Sequence, residues 1–450
     1  MTMNIVSALL LIACGASGEA APPEIAPSRE FALAQPFRAD AFHGGFFVHD
    51  LNKDGRMDFV VSSEGHVGAY SHSGTKMWVW EGDIRFFEYM HHPSVIAGNL
   101  DGGEDEEVAF FLKDDSILVL NAVTGEEKYR VTDLGRPEAI AIANLRRLGD
   151  RDIVLQYDLA HLRAIQGEDG ATLWETHEYK GIDHSPIRLA DLDGDGRDEV
   201  AGAALIDHDG RLMHEWVYEG HHDWIDSMII ADIVPGGPLE VALAEQVGAK
   251  SHTVVVNPER IVWRVLNPWN WEDPDKLAVG NFDPSRPGLE IFNRSSGGDG
   301  TAPRGKEEPF VQEQAPWVLD ARGELISKYY VNDKKPEWWT GHGLEEISRI
   351  DWDGGDKDYL AAKERHRTGA GAIVDAVSGE FLVIFRTRAL RIYVADIEGD
   401  SREEVIILDE SGTIKIFANP EPNPHPPKPS LWRHNWYRRQ KQNWDYYSTS

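Results

Sequence analysis

Acidic residues recur along the chain in short loops whose spacing suits a hard cation. The two clearest loops begin at Asp50 and Asp191, and each carries Asp or Asn at its first, third and fifth positions and glycine at its sixth. This alternation brings three oxygen-bearing side chains together, and the glycine permits the sharp turn that follows. Calcium takes about six to eight oxygen ligands from such groups. The sequence therefore predicts calcium ions with a structural role in these loops.

Two further loops, beginning at Asp351 and Asp396, match the pattern in part. No ion is expected in the loop at Asn144, whose third position is Arg146, or in the loop at Asp232, which contains a proline. No helical pattern flanks the loops, so an EF-hand is excluded. The alternative is that the carboxylates accept backbone amides in ordinary turns. The predicted calcium ligands are Asp50, Asn52, Asp54, Asp58, Asp191, Asp193, Asp195, Asp198, Glu199, Asp351, Asp353, Asp358, Asp396, Glu398, Asp400 and Glu404.

A second group of residues, rich in histidine, lies about seven to nine positions before these loops. At ~3.3 Å per strand residue, its side chains should lie roughly 25 Å from the acidic loops, at the opposite end of the same strands. Histidine exchanges protons near neutral pH, which suits acid–base catalysis, and it also binds metals. A lone histidine of this kind is usually structural, but a set at one level of a repeat favours function. The members are His43, His91, His92, His184, His221, His222 and His342, with Arg388 at the equivalent position of the last repeat.

Aromatic residues crowd the same level of the repeat. Aromatic faces beside hydrogen-bonding groups suit sugar rings, whose axial C–H bonds pack against the π surface. The alternative is that these rings pack against one another where the repeats meet. The residues predicted to bind substrate are His43, His91, His221, Trp224, Trp271, Trp338 and Trp339.

The period of the repeat identifies the elements that position both groups. Most intervals between acidic loops are 41–49 residues, with one of 70, and a hairpin turn such as Asp169-Gly170 alternates with the loops. Such periods are typical of four-stranded propeller blades, because one small sheet cannot bury both faces and must stack on its neighbours. We predict an all-β fold with a single β-propeller of eight four-stranded blades over residues 29–420. Seven blades and a degenerate unit are the alternative, and residues 29–37 would supply the outer strand that closes the ring.

Composition and the N-terminal segment indicate where the protein works. The formal net charge of −31 argues against nucleic acid as a partner. The single cysteine, Cys14, excludes disulfides and follows a short apolar run, so residues 1–14 are predicted to be a lipoprotein signal peptide and residues 15–28 a flexible tether. An ordinary cleaved signal peptide is the alternative. We expect an exported monomer that is anchored to a bacterial membrane or cell surface by a lipid on Cys14. If it is not anchored, we expect a periplasmic or secreted protein.

Residues 421–450 form a predicted C-terminal extension that differs in composition from the rest of the chain. The segment is first proline-rich and then basic and aromatic, although the chain as a whole is acidic. Two interpretations remain open from the sequence. The extension either packs as a clamp over the acidic blades or supplies cationic contacts to an anionic ligand.

The acidic repeats resemble FG-GAP-type propeller repeats and, more narrowly, those of rhamnogalacturonan lyases with calcium-loaded eight-bladed propellers. The likeness is carried by residues 225–232, residues 279–290 and the Ala-Asp-Leu-Asp-Gly-Asp-Gly-Arg-Asp-Glu segment at 190–199. The propeller ulvan lyases are similar more distantly. The resemblance implies an enzyme that cleaves an acidic, uronate-containing polysaccharide by β-elimination.

β-Elimination needs a cation for the substrate carboxylate, a base for the C5 proton and an acid for the leaving oxygen. His92 and His184 are the predicted proton-transfer residues, and Arg388 is the predicted carboxylate partner. The supporting catalytic residues are Tyr89, His222 and His342. We therefore expect an exported, calcium-dependent polysaccharide lyase for a rhamnogalacturonan- or ulvan-like polymer. The alternatives are a non-catalytic propeller that binds glycans or protein partners, and a hydrolase on the same scaffold.

Overall fold

Small antiparallel sheets account for nearly all regular structure in this computed structural model. Six sheets contain four strands each in sequence order, and one contains seven. The inner strands are buried on both faces, so each sheet packs between two others. The structure describes residues 21–38, 43–86, 91–181, 187–216, 225–245, 251–269, 274–295, 314–341, 343–365, 368–446 and 448–449.

Blades 1 to 6 each consist of four consecutive strands, innermost first. Blades 1 to 3 contain β2 (Gly45–His49), β3 (Asp58–Ser63), β4 (His66–Tyr70), β5 (Lys76–Glu81), β6 (Val95–Gly98), β7 (Glu107–Phe111), β8 (Ile117–Asn121), β9 (Glu127–Val131), β10 (Ala139–Ala143), β11 (Asp152–Gln156), β12 (Leu162–Gln166) and β13 (Thr172–Thr176). Blades 4 to 6 contain β14 (Arg188–Ala190), β15 (Glu199–Ala201), β16 (Ala204–Ile206), β17 (Leu212–Glu215), β18 (Ile225–Ala231), β19 (Glu240–Glu245), β20 (His252–Asn257), β21 (Arg260–Leu266), β22 (Pro274–Gly280), β23 (Glu290–Ser295), β24 (Trp317–Leu319) and β25 (Leu325–Lys328).

The seven-stranded sheet contains two blades that share one long strand, β29. Residues 381–385 of β29 pair with β28, and residues 389–395 pair with β30. The N-terminal strand β1 pairs with β31, so it completes blade 8 and closes the ring, as predicted for residues 29–37. The strands are β1 (Arg29–Ala32), β26 (Leu344–Ile350), β27 (Tyr359–Glu364), β28 (Gly369–Val374), β29 (Phe381–Ala395), β30 (Glu404–Asp409) and β31 (Thr413–Phe417).

Eight inner strands surround a central channel. Neighbouring inner strands contact each other around most of the ring, from β6 through β10, β14, β18, β22 and β26 to β29 and then β2. A hydrogen bond from the Gly44 N–H to the His92 carbonyl (3.2 Å) links blades 1 and 2. These contacts confirm the predicted all-β propeller, with four strands in each of eight blades.

A buried carboxylate at the start of the second strand anchors seven of the eight acidic loops. Each accepts the backbone N–H of the residue seven positions earlier, at 2.7–3.2 Å. In blade 7, the Asp351 N–H donates instead to Glu403 from blade 8 (2.8 Å). The anchoring residues are Asp58, Glu107, Asp152, Glu199, Glu240, Glu290 and Glu404. Capping of amides therefore accounts for part of the acidic repeat.

The C-terminal extension fills the channel. Residues after β31 first cross the acidic-loop side of blade 7, where Lys428 Nζ lies 2.7 Å from the Asp351 carboxylate. A 3-10 turn (Leu431–Arg433) and helix α1 (Asn435–Gln442) follow, and α1 contacts the inner strands of blades 1, 2, 4 and 5. This placement favours packing over ligand contact as the role of the extension. Among the described residues, no helix is long and apolar enough to cross a membrane.

Two glutamine side chains of α1 hydrogen-bond both backbone groups of an inner-strand residue. Gln442 accepts from the Ala97 N–H (3.1 Å) and donates to the Ala97 carbonyl (3.0 Å). Gln440 does the same with Ile230 (2.8 and 3.3 Å). These backbone groups lie on the channel-facing edge of the strands, where no further strand pairs with them. The extension therefore supplies the hydrogen bonds that another strand would supply in a larger sheet.

Replacement of Gln442 by alanine should lower the free energy of unfolding by about 2–4 kcal/mol. The Ala97 N–H and carbonyl would each lose a buried partner, which costs about 1–3 kcal/mol per group. Urea unfolding measures the change. Gln35→Ala is the control, because Gln35 bonds only at the surface, to Glu81, and it should shift stability by less than about 0.5 kcal/mol. Equal stability of Gln442→Ala and the wild type would contradict this role.

Candidate active site

Buried charged residues cluster where the inner strands begin, at the end of the channel opposite the acidic loops. Strand pairing brings them to one level, with Arg294 opposite Lys276 and Lys363 opposite Glu345. Ionised groups are rarely buried unless they are paired, and perturbed ones mark candidate functional sites. The charged cluster consists of Arg188, Asp226, Asp275, Lys276, Arg294, Glu345, Glu346, Lys363 and Arg391, all buried.

Lys276 lies between an ion pair and the C-terminal extension. The Arg294 guanidinium contacts the Asp275 carboxylate beside it. The Lys276 ammonium donates to the Tyr446 carbonyl and lies 3.5 Å from the centroid of the Tyr446 ring. Burial lowers the pKa of Lys276 to about 7, although Asp275 opposes the shift. Burial therefore favours the uncharged amine of Lys276, which can accept a proton.

A second close pair in the charged cluster joins two strained residues, although burial lowers the pKa of the histidine, His91, to about 4 and keeps its ring neutral. His91 Nδ1 contacts the Glu346 carboxylate, to which the Ile392 N–H also donates (2.9 Å). Both His91 and Glu346 have positive φ, 65° and 47°, which costs about 1–3 kcal/mol for a residue with a Cβ. Burial raises the pKa of Glu346, but His91, Lys363 and Arg391 outweigh it and hold the pKa at about 2. Strain kept at buried charges is typical of functional sites.

Two of the predicted catalytic residues, His92 and Arg388, lie in described parts of the chain. The His92 ring is buried and accepts the Ser94 N–H (2.9 Å), and burial lowers its pKa to about 3. A ring that stays neutral and bonded to its own turn suits support of the backbone better than proton transfer. Arg388 is exposed and contacts Glu410. Arg391, three residues further along the same strand, belongs to the charged cluster instead.

The predicted substrate-binding residues differ in their environments. His91 contacts the Glu346 carboxylate, and the His43 carbonyl accepts from Arg391 (3.4 Å). Trp338 is 45% exposed. Trp339 is buried against Phe381, so it has no free face for a sugar ring and belongs to the core. The other predicted residues, Tyr89, His184, His221, His222, Trp224, Trp271 and His342, lie outside the described residues.

Sequence analysis missed the charged residues that form most of the cluster. Lys276, Lys363 and Arg391 each stand inside a strand that is otherwise largely apolar, and Arg294 stands in a mixed but fully buried strand. A charge within such a strand is the signal that could have identified them, since a buried strand tolerates an ionised side chain only beside a partner. The partners of these charged residues lie on other strands or blades, far away in the sequence, so the sequence alone did not show which residues pair.

The acidic loop of blade 4 is the most complete candidate metal centre. Oxygen atoms of Asp191, Asp193 and Glu199 all lie within 4.8 Å of one another. One Glu199 oxygen accepts the Leu192 N–H (2.7 Å), whereas the other and Asp191 Oδ1 are buried without a hydrogen-bond partner among the described residues. Burial, together with Asp193 and Asp191, raises the pKa of Glu199 to about 8. Buried oxygens that repel one another suit a bound cation.

The loops of blades 1 and 8 also concentrate carboxylates. Both oxygens of Asp50 accept backbone N–H groups, from Asp54 (3.0 Å) and Gly55 (2.9 Å). In blade 8, burial and then the neighbouring carboxylates raise the pKa of Glu404 to about 8. Burial likewise raises the pKa of Asp396 to about 6. Both loops therefore hold negative charge that a cation would stabilise.

Several loops contain a cation of the chain itself. In the loops of blades 4 and 8, Arg197 contacts the half-buried Asp195 and Arg402 contacts the exposed Asp400. Lys128 Nζ lies 2.5 Å from Asp101 and 2.6 Å from Glu107 in blade 2. Arg146 lies 2.7 Å from Asp152 in blade 3. In blade 7, Lys428 contacts Asp351 (2.7 Å), and Arg349 contacts Asp358 (2.6 Å). These cations contact carboxylate oxygens that a calcium ion would need. They therefore weaken the case for calcium at the predicted ligands Asp351, Asp353 and Asp358.

Comparison with known proteins agrees with the resemblance seen in the acidic repeats. A family model described as "Rhamnogalacturonan lyase family 11, C-terminal domain" matches residues 169–446, more than half of the chain. The chain is 27% identical over 255 residues to the rhamnogalacturonan exolyase YesX of Bacillus subtilis (strain 168). It is 28% identical over 261 residues to the rhamnogalacturonan endolyase YesW of the same organism.

These similarities differ in how much of each protein they cover. The two alignments cover 54% and 55% of this chain but only 38% and 35% of the relatives, so the chain spans less than half of their length. The crystal structure of the exotype rhamnogalacturonan lyase YesX matches with a TM-score of 0.67 and 20% identity. That match covers 95% of this chain and 80% of the other, and it supports the propeller fold.

Replacement of Arg294 by methionine should lower the free energy of unfolding by about 3–5 kcal/mol, because Asp275 would remain buried without its cation. The double variant Arg294→Met/Asp275→Asn should recover part of the loss. Urea unfolding measures both. Lys113→Met, which breaks an exposed pair with Asp83, is the control and should cost less than about 1 kcal/mol. A loss in Arg294→Met no larger than in the control would contradict a buried, mutually dependent pair.

Proposed function

We propose that this chain, which belongs to rhamnogalacturonan lyase family 11, cleaves a uronate-containing polysaccharide of the rhamnogalacturonan type by β-elimination. The observation that carries the proposal is the buried amine of Lys276, whose pKa is lowered to about 7 within a cluster of arginines and carboxylates. Family membership supports the substrate class. The charged cluster supports the chemistry, because it combines a base with cations.

The uronate carboxylate must be neutralised before the C5 proton can leave. Loss of this proton places negative charge on the carboxylate, and a fixed cation stabilises that charge. Arg365 suits the role, because its Nε lies 3.7 Å from Glu345 beside the charged cluster and its side chain remains 12% exposed. We therefore assign contact with the substrate carboxylate to Arg365, with Arg391 as a second cation.

Lys276 is the proposed base. Its uncharged amine takes the C5 proton, the C–H electrons form the C4=C5 double bond, and the C4–O bond breaks with its electrons on the leaving oxygen. A base is most efficient when its pKa lies near the working pH, which is the condition that burial creates at Lys276. A proton must then reach the leaving oxygen. That role is assigned to the set predicted from sequence: Tyr89, His184, His222 and His342.

We propose calcium in the acidic loop of blade 4, where it stabilises the fold. Asp191, Asp193 and Glu199 supply the oxygen atoms, and Asp191 and Glu199 each have a buried oxygen without another partner among the described residues. Calcium prefers such ligands. The loops of blades 1 and 8 are proposed as further sites. The loop of blade 7 is not included, because Lys428 and Arg349 neutralise its carboxylates.

Export completes the proposal. An enzyme for a large polysaccharide must meet its substrate outside the cell, and the predicted leader at residues 1–14 with a lipid anchor on Cys14 would place it there. These residues lie outside the described ranges. The support for export and anchoring is therefore the sequence pattern alone.

Lys276→Met should reduce formation of unsaturated uronate from rhamnogalacturonan by at least about 100-fold, the lower end of what a positioned base contributes. In the wild-type protein, the rate should rise with pH through about 7, because only the deprotonated amine of Lys276 accepts a proton. The ultraviolet absorbance of the C4=C5 product measures both effects.

Lys441→Met is the matched control for this experiment. Lys441 is also buried with a pKa lowered to about 7, but it lies in α1 against Tyr393. Its replacement should leave activity within a few-fold of the wild type. Full activity of Lys276→Met would reject Lys276 as the base. A wild-type protein that binds the polymer and forms no unsaturated product would instead support the non-catalytic alternative.

Glu199→Gln should reduce the calcium content by one ion per chain, because it removes the negative charge of this ligand and replaces one carboxylate oxygen with an NH2 group at the most complete loop. Elemental analysis after dialysis against calcium measures the content. Glu107→Gln is the control at the same position of blade 2, where Lys128 supplies the cation (2.6 Å), and it should bind as much calcium as the wild type. Equal content in Glu199→Gln and the wild type would contradict the assignment.

A further inference from the structure

Two histidines and a glutamate converge on the outer strands of blade 3, away from the channel. His161 precedes β12, Glu175 lies on β13 and His177 follows it. One possible ligand atom from each residue, a ring nitrogen or a carboxylate oxygen, lies within 4.8 Å of the other two. None of the three residues belongs to an acidic loop or to the charged cluster.

The pairing of β12 with β13 explains this convergence. Leu162 pairs with Thr176, so the next residues outward, His161 and His177, face each other across the two strands. Glu175 lies two residues before His177 and therefore projects from the same face of the strand. Three potential ligands thus share one face of a two-stranded ribbon.

Local contacts fix His161 in place. Its ring lies between the rings of Tyr157 and His177, with centroid distances of 4.3 Å to each. The Asp158 carboxylate accepts the His161 N–H (2.8 Å), which holds the turn before β12. The ring then directs Nε2 to Glu175 Oε1 at 2.7 Å. Because Tyr157 and the turn at Asp158 hold His161, this one ligand needs little ordering when an ion binds.

The donor set selects one class of ion. Two imidazole nitrogens and one carboxylate suit zinc and neighbouring divalent transition metals, whereas calcium and magnesium prefer oxygen ligands alone. Glu175 and His177 are exposed and His161 is half-buried, so the side chains can turn toward a common ion. Three protein ligands would leave a fourth position for water, as in other exposed zinc sites.

We propose that His161, Glu175 and His177 bind a divalent transition metal, with zinc as the best match. The ion joins the turn before β12 to the end of β13, which is the edge strand of its sheet. A second group with a histidine, Asp195, Glu199 and His208, shares Glu199 with the proposed calcium loop and is not included. The site is separate from the charged cluster, so its test does not depend on lyase activity.

Calorimetric titration of the full chain with zinc tests the proposal. The protein is first freed of metals with a chelator and then kept in excess calcium, so that the oxygen-rich loops are occupied. A pH of about 7.5 keeps most imidazoles neutral. The variants are His177→Ala and His161→Ala/His177→Ala, with His214→Ala as the matched control. His214 is an exposed histidine on the outer strand β17 of blade 4.

We expect the wild type and His214→Ala to bind one more zinc ion per chain than the double variant. His177→Ala should weaken the affinity of this site for zinc by about 10-fold to 100-fold or more. Loss of a group that only supports a ligand already has an effect of this size. Zinc should also raise the melting temperature of the wild type and not that of the double variant. Equal zinc stoichiometry and affinity in the wild type and the double variant would overturn the proposal. Circular dichroism checks that the variants fold.

Discussion

The backbone groups on the channel-facing edges of the inner strands must be hydrogen-bonded, and the rest of the structure depends on how this is done. The C-terminal extension supplies these hydrogen bonds. Gln440 bonds the backbone of Ile230, Gln442 bonds that of Ala97, and the Ser448 hydroxyl accepts the Met228 N–H. The same segment continues to the opposite end of the channel. There its backbone carbonyls accept from Arg188 and Lys276. One segment therefore completes the ring and supports the charged cluster in which the chemistry is proposed.

A chain with a net charge of −31 must stabilise many carboxylates, and it does so in two observed ways. Backbone N–H groups hold the anchoring carboxylate of seven acidic loops. Cationic side chains neutralise some of the same loops, as Lys128, Arg146 and Lys428 do in blades 2, 3 and 7. The loop of blade 4 keeps two buried oxygens that neither group reaches among the described residues. A bound cation would stabilise both oxygens in their ionised form, and this is why calcium is proposed there.

The repeat was predictable because it is local. Alternating acidic loops and hairpin turns indicated eight blades, with seven as the alternative, and residues 29–37 were correctly identified as the segment that supplies the closing strand. The charged cluster was not predictable, because its pairs join residues such as His91 and Glu346 from distant blades. Arg388 and Trp339 show a further limit. Arg388 is exposed whereas Arg391, three residues later, is buried in the charged cluster, and Trp339 is buried whereas its neighbour Trp338 is exposed. The alignment of the repeats is not accurate to one residue, so it could not distinguish these environments.

The most direct test of β-elimination compares two forms of one polymer. The purified chain, supplied with calcium, is incubated with rhamnogalacturonan and with the same polymer after its uronate carboxyl groups have been reduced to alcohols. The mechanism requires the carboxylate to make the C5 proton acidic. We expect an ultraviolet-absorbing unsaturated product from the native polymer and none from the reduced one. Cleavage of the polysaccharide without that absorbance, or cleavage of both forms of the polymer, would contradict β-elimination.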